Sequence, residues 1–129
     1  MDFNTHRKMS SARTKIVIID DEEDLCFLLG NMLMAQGYDV RSYFTLQSGL
    51  EGINGEQPDW VIIDNDLPDG RGWDQTNTIL KTCPGVQLIK ISANPDSQRT
   101  HEQDGIHYLI KPIHVNSITD LIQKKVSKE

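Results

Sequence analysis

The chain has 129 residues, 37% hydrophobic and 25% charged, which suits one domain around one core and excludes an intrinsically disordered chain. A formal net charge of −6 argues against nucleic acid as a partner, and no apolar run approaches the roughly 20 residues of a membrane helix. Cys26 and Cys83 make neither a disulfide framework nor a metal spacing, which fits reduced thiols and a cytoplasmic location.

Residues 1–14, MDFNTHRKMSSART, are polar and mildly basic with no apolar segment, so they read as a flexible tail and not a secretory leader. KIVIID (15–20) is a continuous apolar run, as in a strand buried on both faces. In DLCFLLGNMLMAQG (24–37), Leu25, Leu28, Leu29, Met32 and Leu33 recur at helical spacing, and Gly37 stands where a helix-terminating glycine belongs. YDVRSY (38–43) is half polar and reads as an edge strand. TLQSGLEGING (45–55) is a helix weakened by Gly49 and Gly52. DWVIID (59–64) is a second buried strand, and DLPDG after it is a turn by composition. GWDQTNTILK (72–81) reads as a helix with Trp73, Asn77 and Leu80 on one side. VQLIKIS (86–92) is a strand with a lysine, Lys90, at an interior position. PDSQRTHEQD (95–104) fills a helix-length slot without one aliphatic or aromatic residue. HYLI (107–110) is a short strand, and VNSITDLIQKKV (115–126) is a helix with Val115, Ile118, Leu121 and Ile122 apolar and Ser117-x-x-Asp120 resembling a capping box.

This β-α alternation implies a doubly wound, five-stranded parallel sheet with helices on both faces. Ligands of such sheets sit at the carboxyl ends of the strands, where strand order reverses. The residues just past the strands are Asp20-Asp21, Asp64, Ser92 and Lys111-Pro112. In the order 2-1-3-4-5 these carboxylates, a hydroxyl and an ammonium converge. Crowded carboxylates suit a hard divalent cation such as Mg²⁺, and a lysine opposite would meet a bound anion.

KIVIIDDEEDL, VIIDNDLPDGRGW, KISA and YLIKPI, in this order, resemble the receiver domain of two-component response regulators. Asp20 and Asp64, Asp64 and Ser92, and Ser92 and Lys111 lie 44, 28 and 19 residues apart, which also fits. The resemblance implies a flavodoxin-like receiver over 15–126, with a C-terminal tail over 127–129. It implies Asp64 as phosphoacceptor, and Asp21 and Asp20 as Mg²⁺ ligands together with Asp64 and the backbone carbonyl of Asp66. Ser92 would be the hydroxyl that follows the phosphoryl group, Lys111 its cation, and Tyr108 the aromatic switch. It also implies a cis Lys111–Pro112 bond, with Asp66 and Asn94 flanking the path of the hydrolytic water. The partners implied are a sensor histidine kinase or histidine phosphotransfer protein, and a downstream protein the sequence does not name. The chain would be no enzyme beyond its own phosphorylation and dephosphorylation.

Taken singly, each feature has a plainer reading. Asp21 or Asp24 would be a helix cap, Ser92 a cap, Lys-Pro a loop and Tyr108 a core aromatic. Together those readings leave Asp20, Asp21 and Asp64 facing only Lys111. One departure is the stretch between Ser92 and Lys111, shorter than in the family by about one helical turn. The fourth helix, 95–104, is therefore expected to be short or irregular, leaving Lys90 to reach water along its stem. Two rival functions are a phosphorylation-independent adaptor and a haloacid-dehalogenase-type phosphatase. The latter would use Asp64 as nucleophile and Asp66 as general acid, but it expects its D-x-D on the first strand. With few residues after the last helix, a single-domain regulator is expected in preference to a piece of a longer protein.

Overall fold

The computed structural model describes residues 13–94 and 104–127. Most of the tail expected over 1–14, the expected irregular helix over 95–104 (Asp104 apart) and the end of the chain lie outside these residues.

Five strands form one parallel sheet: β1 (Lys15–Ile19), β2 (Asp39–Tyr43), β3 (Trp60–Asp64), β4 (Gln87–Ser92) and β5 (Ile106–Ile110). Their order is β2-β1-β3-β4-β5, as expected, and half-polar β2 takes an edge. Among the described residues four helices accompany them: α1 (Glu23–Ala35), α2 (Leu46–Glu56), α3 (Thr76–Thr82), entered through a 3-10 turn at Gly72–Gln75, and α4 (Val115–Ser127). A two-residue hairpin, Asp66–Leu67 against Gly70–Arg71, occupies the turn after β3.

The apolar runs are continuous because both faces of the sheet are covered. Val17, Ile19, Val61, Ile63 and Leu88 pack beneath α2 and α3 with Leu46, Ile53 and Ile79. Ile16, Ile18, Ile62, Ile89 and Ile91 pack on the opposite face with Cys26, Leu29 and Leu33 of α1 and Ile118 and Ile122 of α4. Each fully buried side chain of this size contributes roughly 1.5–3 kcal/mol. The two layers fix strand register, since a one-residue slip would exchange the faces.

Three details differ from the sequence reading. The buried stripe of α1 is Cys26, Leu29, Gly30 and Leu33, while Leu28 and Met32 are 60% and 42% exposed. The small Cys26 and Gly30 let the helix settle onto the sheet, which turns the larger side chains outward. The 3-10 entry shifts the phase of the following helix, so Ile79 is buried and Asn77 is exposed. Ser117 stands within the first turn of α4, past Val115, and is not its capping residue. The ending of α1 follows expectation. Gly37, at φ 99°, donates its N–H to the Met34 carbonyl while Tyr38 donates to Leu33, the paired pattern of a left-handed helix stop.

Gly49 and Gly52, which weaken α2 by propensity, let it pack. A Cβ at Gly49 would stand 2.7 Å from Ile19 Cγ1 and 2.9 Å from Ile19 Cγ2. Ile19 is wholly buried and cannot yield cheaply. Helix propensity alone would make Gly49→Ala stabilising by about 1 kcal/mol. The packing predicts the reverse, a loss of about 1–3 kcal/mol in urea unfolding; a gain would show that the α2 contact is looser than described.

Candidate functional site

Register carries the polar residues to one rim. Ile19 pairs with Ile63, so Asp20 and Asp64 follow side by side. Asp64 pairs with Ile91 and Ser92 with Ile110, which brings Ser92 and then Lys111 to the same edge. The backbone N–H of Lys111 donates to the Ser92 carbonyl at 2.8 Å, and the Lys111–Pro112 bond is cis, as expected.

The side chains form a nearly dry charge cluster. The Asp20 and Asp64 side chains are 0% and 5% exposed, and the Lys111 ammonium lies 3.0 Å from Asp20 Oδ2 and 3.6 Å from Asp64 Oδ1. Asp20 Oδ1 accepts the Glu22 backbone N–H at 2.9 Å. Asp20 Oδ2 is buried, with the ion pair to Lys111 but no further hydrogen-bond donor among the described residues. Burial, then the neighbouring Asp20 charge, pushes the Asp64 carboxyl up to about 6, against the pull of Lys111. Burial works against the Lys111 ammonium, but Asp20, Asp64 and Glu22 together hold its pKa above the ordinary lysine value. The buried Cys26 thiol donates to the Asp20 carbonyl at 3.3 Å, and burial followed by the Asp20 charge pushes its pKa up to about 12, so it is inert as a nucleophile.

One carboxylate oxygen from each of Asp20, Asp21 and Asp64 lies within 4.8 Å of the others, with Asp21 exposed at the mouth. Three oxygen donors facing one ammonium, with one buried oxygen lacking a hydrogen bond, fit a hard divalent cation.

The turn after β3 is fastened in place. Asn65 accepts the Trp73 N–H on its side chain at 3.1 Å and the Gly72 N–H on its carbonyl at 3.0 Å. A Cβ at Gly72 would collide with the Asp64 carbonyl oxygen, so only glycine fits there. The crowding of Asp64, Asp66 and Asp69 is relieved by turning Asp69 away. Its carboxylate accepts the N–H groups of Leu46 and Gln47 at 2.7 and 2.9 Å, closing the start of α2, and these bonds hold its pKa below the ordinary value.

Asp20, Asp21, Asp64 and Lys111 are thus brought together. Ser92 is buried at the same rim, its hydroxyl accepting the Asn94 N–H at 3.0 Å. Asp66 and Asn94 are exposed beside it. Tyr108 lies before this rim on β5, half-buried against Trp73 with ring centroids 5.5 Å apart. Lys90 is mostly buried, where the sequence reading gave it a path to water. It is 8% exposed, and its ammonium lies 5.6 Å from the ring centres of both Trp73 and Tyr108. Sequence reasoning missed Glu22, whose carboxylate is 3.5 Å from Lys111, and the fastening roles of Asn65, Asp69 and Gly72. The adjacency of Glu22 to the acidic pair was its one signal.

Residues 16–123 match the model of the family described as the response regulator receiver domain. The transcriptional regulatory protein GlrR of Escherichia coli (strain K12) is 31% identical over 120 residues, covering 88% of this chain and 26% of that protein. YxdJ of Bacillus subtilis (strain 168), also a transcriptional regulatory protein, is 28% identical over 116 residues, covering 88% and 51%. The chain therefore spans only about a quarter to a half of these curated relatives. A CheY-like receiver domain protein of Methanospirillum hungatei JF-1 superposes with a TM-score of 0.80 at 23% identity, covering 91% of this chain and 96% of that one. A response regulator of Burkholderia pseudomallei, solved with a phosphorylated aspartic acid, a calcium ion and citrate, superposes at 0.74 and 22% identity, covering 89% and 69%.

The raised Asp64 value means that the folded state holds that proton more tightly than the unfolded chain. Stability therefore falls as pH rises from 3.8 to about 6 and stays low above it. In chelator at pH 7.5, Asp64→Asn is expected to be more stable than the wild type by about 1–3 kcal/mol, an advantage that closes toward pH 4. Equal stabilities at both pH values in urea unfolding would contradict this.

Proposed function

The chain belongs to the response regulator receiver domain family, and from that premise we propose that Asp64 takes up the phosphoryl group. The signalling unit is 15–126. The observation that supports this reading best is the meeting of Asp20, Asp21 and Asp64 within 4.8 Å, with the Lys111 ammonium 3.0 and 3.6 Å from two of them. The family assignment and the late position of the D-x-D favour this over the phosphatase, and the complete charged set favours it over the adaptor.

Asp64 is the nucleophile. At neutral pH, above a pKa of about 6, most of it is carboxylate even before any cation binds. Its oxygen attacks phosphorus, the bond to a phosphohistidine nitrogen or to acetate breaks, and the leaving group departs with the electron pair. Asp20, Asp21, Asp64 and the backbone carbonyl of Asp66 would hold Mg²⁺, which when bound would supply positive charge between the carboxylate and the phosphoryl oxygens. Lys111 turns its ammonium from Asp64 to a phosphoryl oxygen, an anion of greater charge. Ser92 donates a hydrogen bond from its hydroxyl to another phosphoryl oxygen, loosening its bond to the Asn94 N–H. That movement frees space next to Tyr108, whose ring changes rotamer, so that the phosphoryl group selects one of two arrangements. Asp66 and Asn94, exposed at the mouth, orient the water that later hydrolyses the acyl phosphate.

The donor is a sensor histidine kinase or a phosphotransfer protein in the cytoplasm, and the output is a surface for a downstream protein. The domain performs no other turnover.

Mass spectrometry after exposure to acetyl phosphate and Mg²⁺ is expected to find one phosphoryl group, on Asp64. Asp64→Asn should abolish it, and Lys111→Ala should slow it at least about tenfold, the effect of losing a charge-assisted contact of roughly 1.4 kcal/mol or more. Phosphate found elsewhere on the wild type would refute the assignment. Asp66→Ala should change the decay rate of the phosphorylated form; an unchanged rate would remove Asp66 from the hydrolytic path.

A further inference from the structure

Lys90 is a buried charge inside the sheet that the Asp64 site does not use. It sits in the middle of β4, between Ile63 of β3 and Tyr108 of β5, and only 8% of it meets solvent. A buried ammonium ordinarily has a carboxylate partner. Among the described residues, no carboxylate lies within ion-pair distance of Lys90. Its ammonium lies instead 5.6 Å from the Trp73 ring centre and 5.6 Å from that of Tyr108. The two rings meet edge to face, 72° apart. One cation thus bridges two aromatic groups on different elements, the 3-10 turn after the Asp64 loop and strand β5.

We propose that Lys90 is a positioning residue for Tyr108: its ammonium holds the phenol ring against Trp73 and so opposes the rearrangement that follows occupation of the Asp64 site. The inference rests on the reading of Tyr108 as the ring that moves. Both residues sit where the rearrangement would act. The backbone N–H of Trp73 donates to the side chain of Asn65, the residue after Asp64, and Tyr108 precedes Lys111 on the same strand end. Lys90 itself precedes Ser92 by two residues, on the same face of β4. A contact made in only one of two arrangements lowers the population of the other by its own free energy. Desolvated cation–ring contacts of this kind correspond to factors of about 2 to 30 in an equilibrium constant.

The test is a titration with beryllium fluoride, a phosphoryl mimic, in saturating Mg²⁺. The chain has two tryptophans, so a Trp60→Phe background leaves Trp73 as the only reporter. Lys90→Met fills the same space without charge and is expected to bind the mimic about 2- to 30-fold more tightly. Lys90→Arg keeps a cation that stacks on rings and is expected to retain the parent affinity. A second reading is taken on the free protein, with the mimic-bound parent as reference. In the free protein, the Tyr108 ring resonances of Lys90→Met should move toward their mimic-bound positions. If Lys90→Met does not fold, Lys90→Gln carries the same comparison. A response in the parent with unchanged affinity and unchanged Tyr108 resonances in the neutral variant would overturn the inference alone, even if stability changed. No response in the parent would overturn the phosphoryl-accepting reading, and this inference with it.

Discussion

The structure turns on one under-compensated charge cluster. The Asp20 and Asp64 carboxylates are almost removed from water, yet one ammonium, that of Lys111, has to serve both. Burying carboxylates is among the costliest things a chain can do, and a single lysine does not offset it. The cost appears in the pKa of Asp64, raised to about 6. A fold selected for stability alone would place apolar residues there. This one keeps a standing demand for positive charge, which Lys111 meets in part and which, in the function we propose, a divalent cation would meet further.

The scaffold meets that cost with rigidity elsewhere. Layers of isoleucine, leucine and valine on both faces fix the register that sets Asp20 beside Asp64. The turn after β3 has little freedom: Asn65 ties it to Trp73, Gly72 lies against the Asp64 carbonyl, and Asp69 closes the start of α2. Asp64 is therefore flanked by a turn that is tied down, while Ser92 and Tyr108, the groups proposed to move, lie on β4 and β5. Lys90 joins that second group through its rings, which links the site's occupancy to the packing between Trp73 and β5.

Much of this was legible in the sequence because it rests on short-range rules. Continuous apolar runs broken at helix-length intervals dictate a parallel sheet, and in such a sheet the residues after each strand share one edge. Asp20, Asp64, Ser92 and Lys111 follow from that, as does half-polar β2 at an edge. What was not legible depends on which partner a side chain meets. In α1, Leu28 and Met32 fit the helical period as well as Cys26 and Gly30, and only close packing on the sheet selects the smaller pair. Lys90 was given a path to water because its rings come from distant segments and no pattern announces them. Asp69 read only as part of a turn, and its hydrogen bonds run to α2 across a long sequence separation that no local pattern announces.

The electrostatic premise can be measured at the Asp64 carboxyl carbon by ¹³C NMR, titrating pH in chelator and again in Mg²⁺. The account expects that carbon to titrate near 6 in chelator and below the ordinary aspartate value of about 3.9 once Mg²⁺ is present. An ordinary titration in chelator that Mg²⁺ leaves unmoved would contradict it, because Asp64 would then neither bear the strain of the cluster nor share its cation.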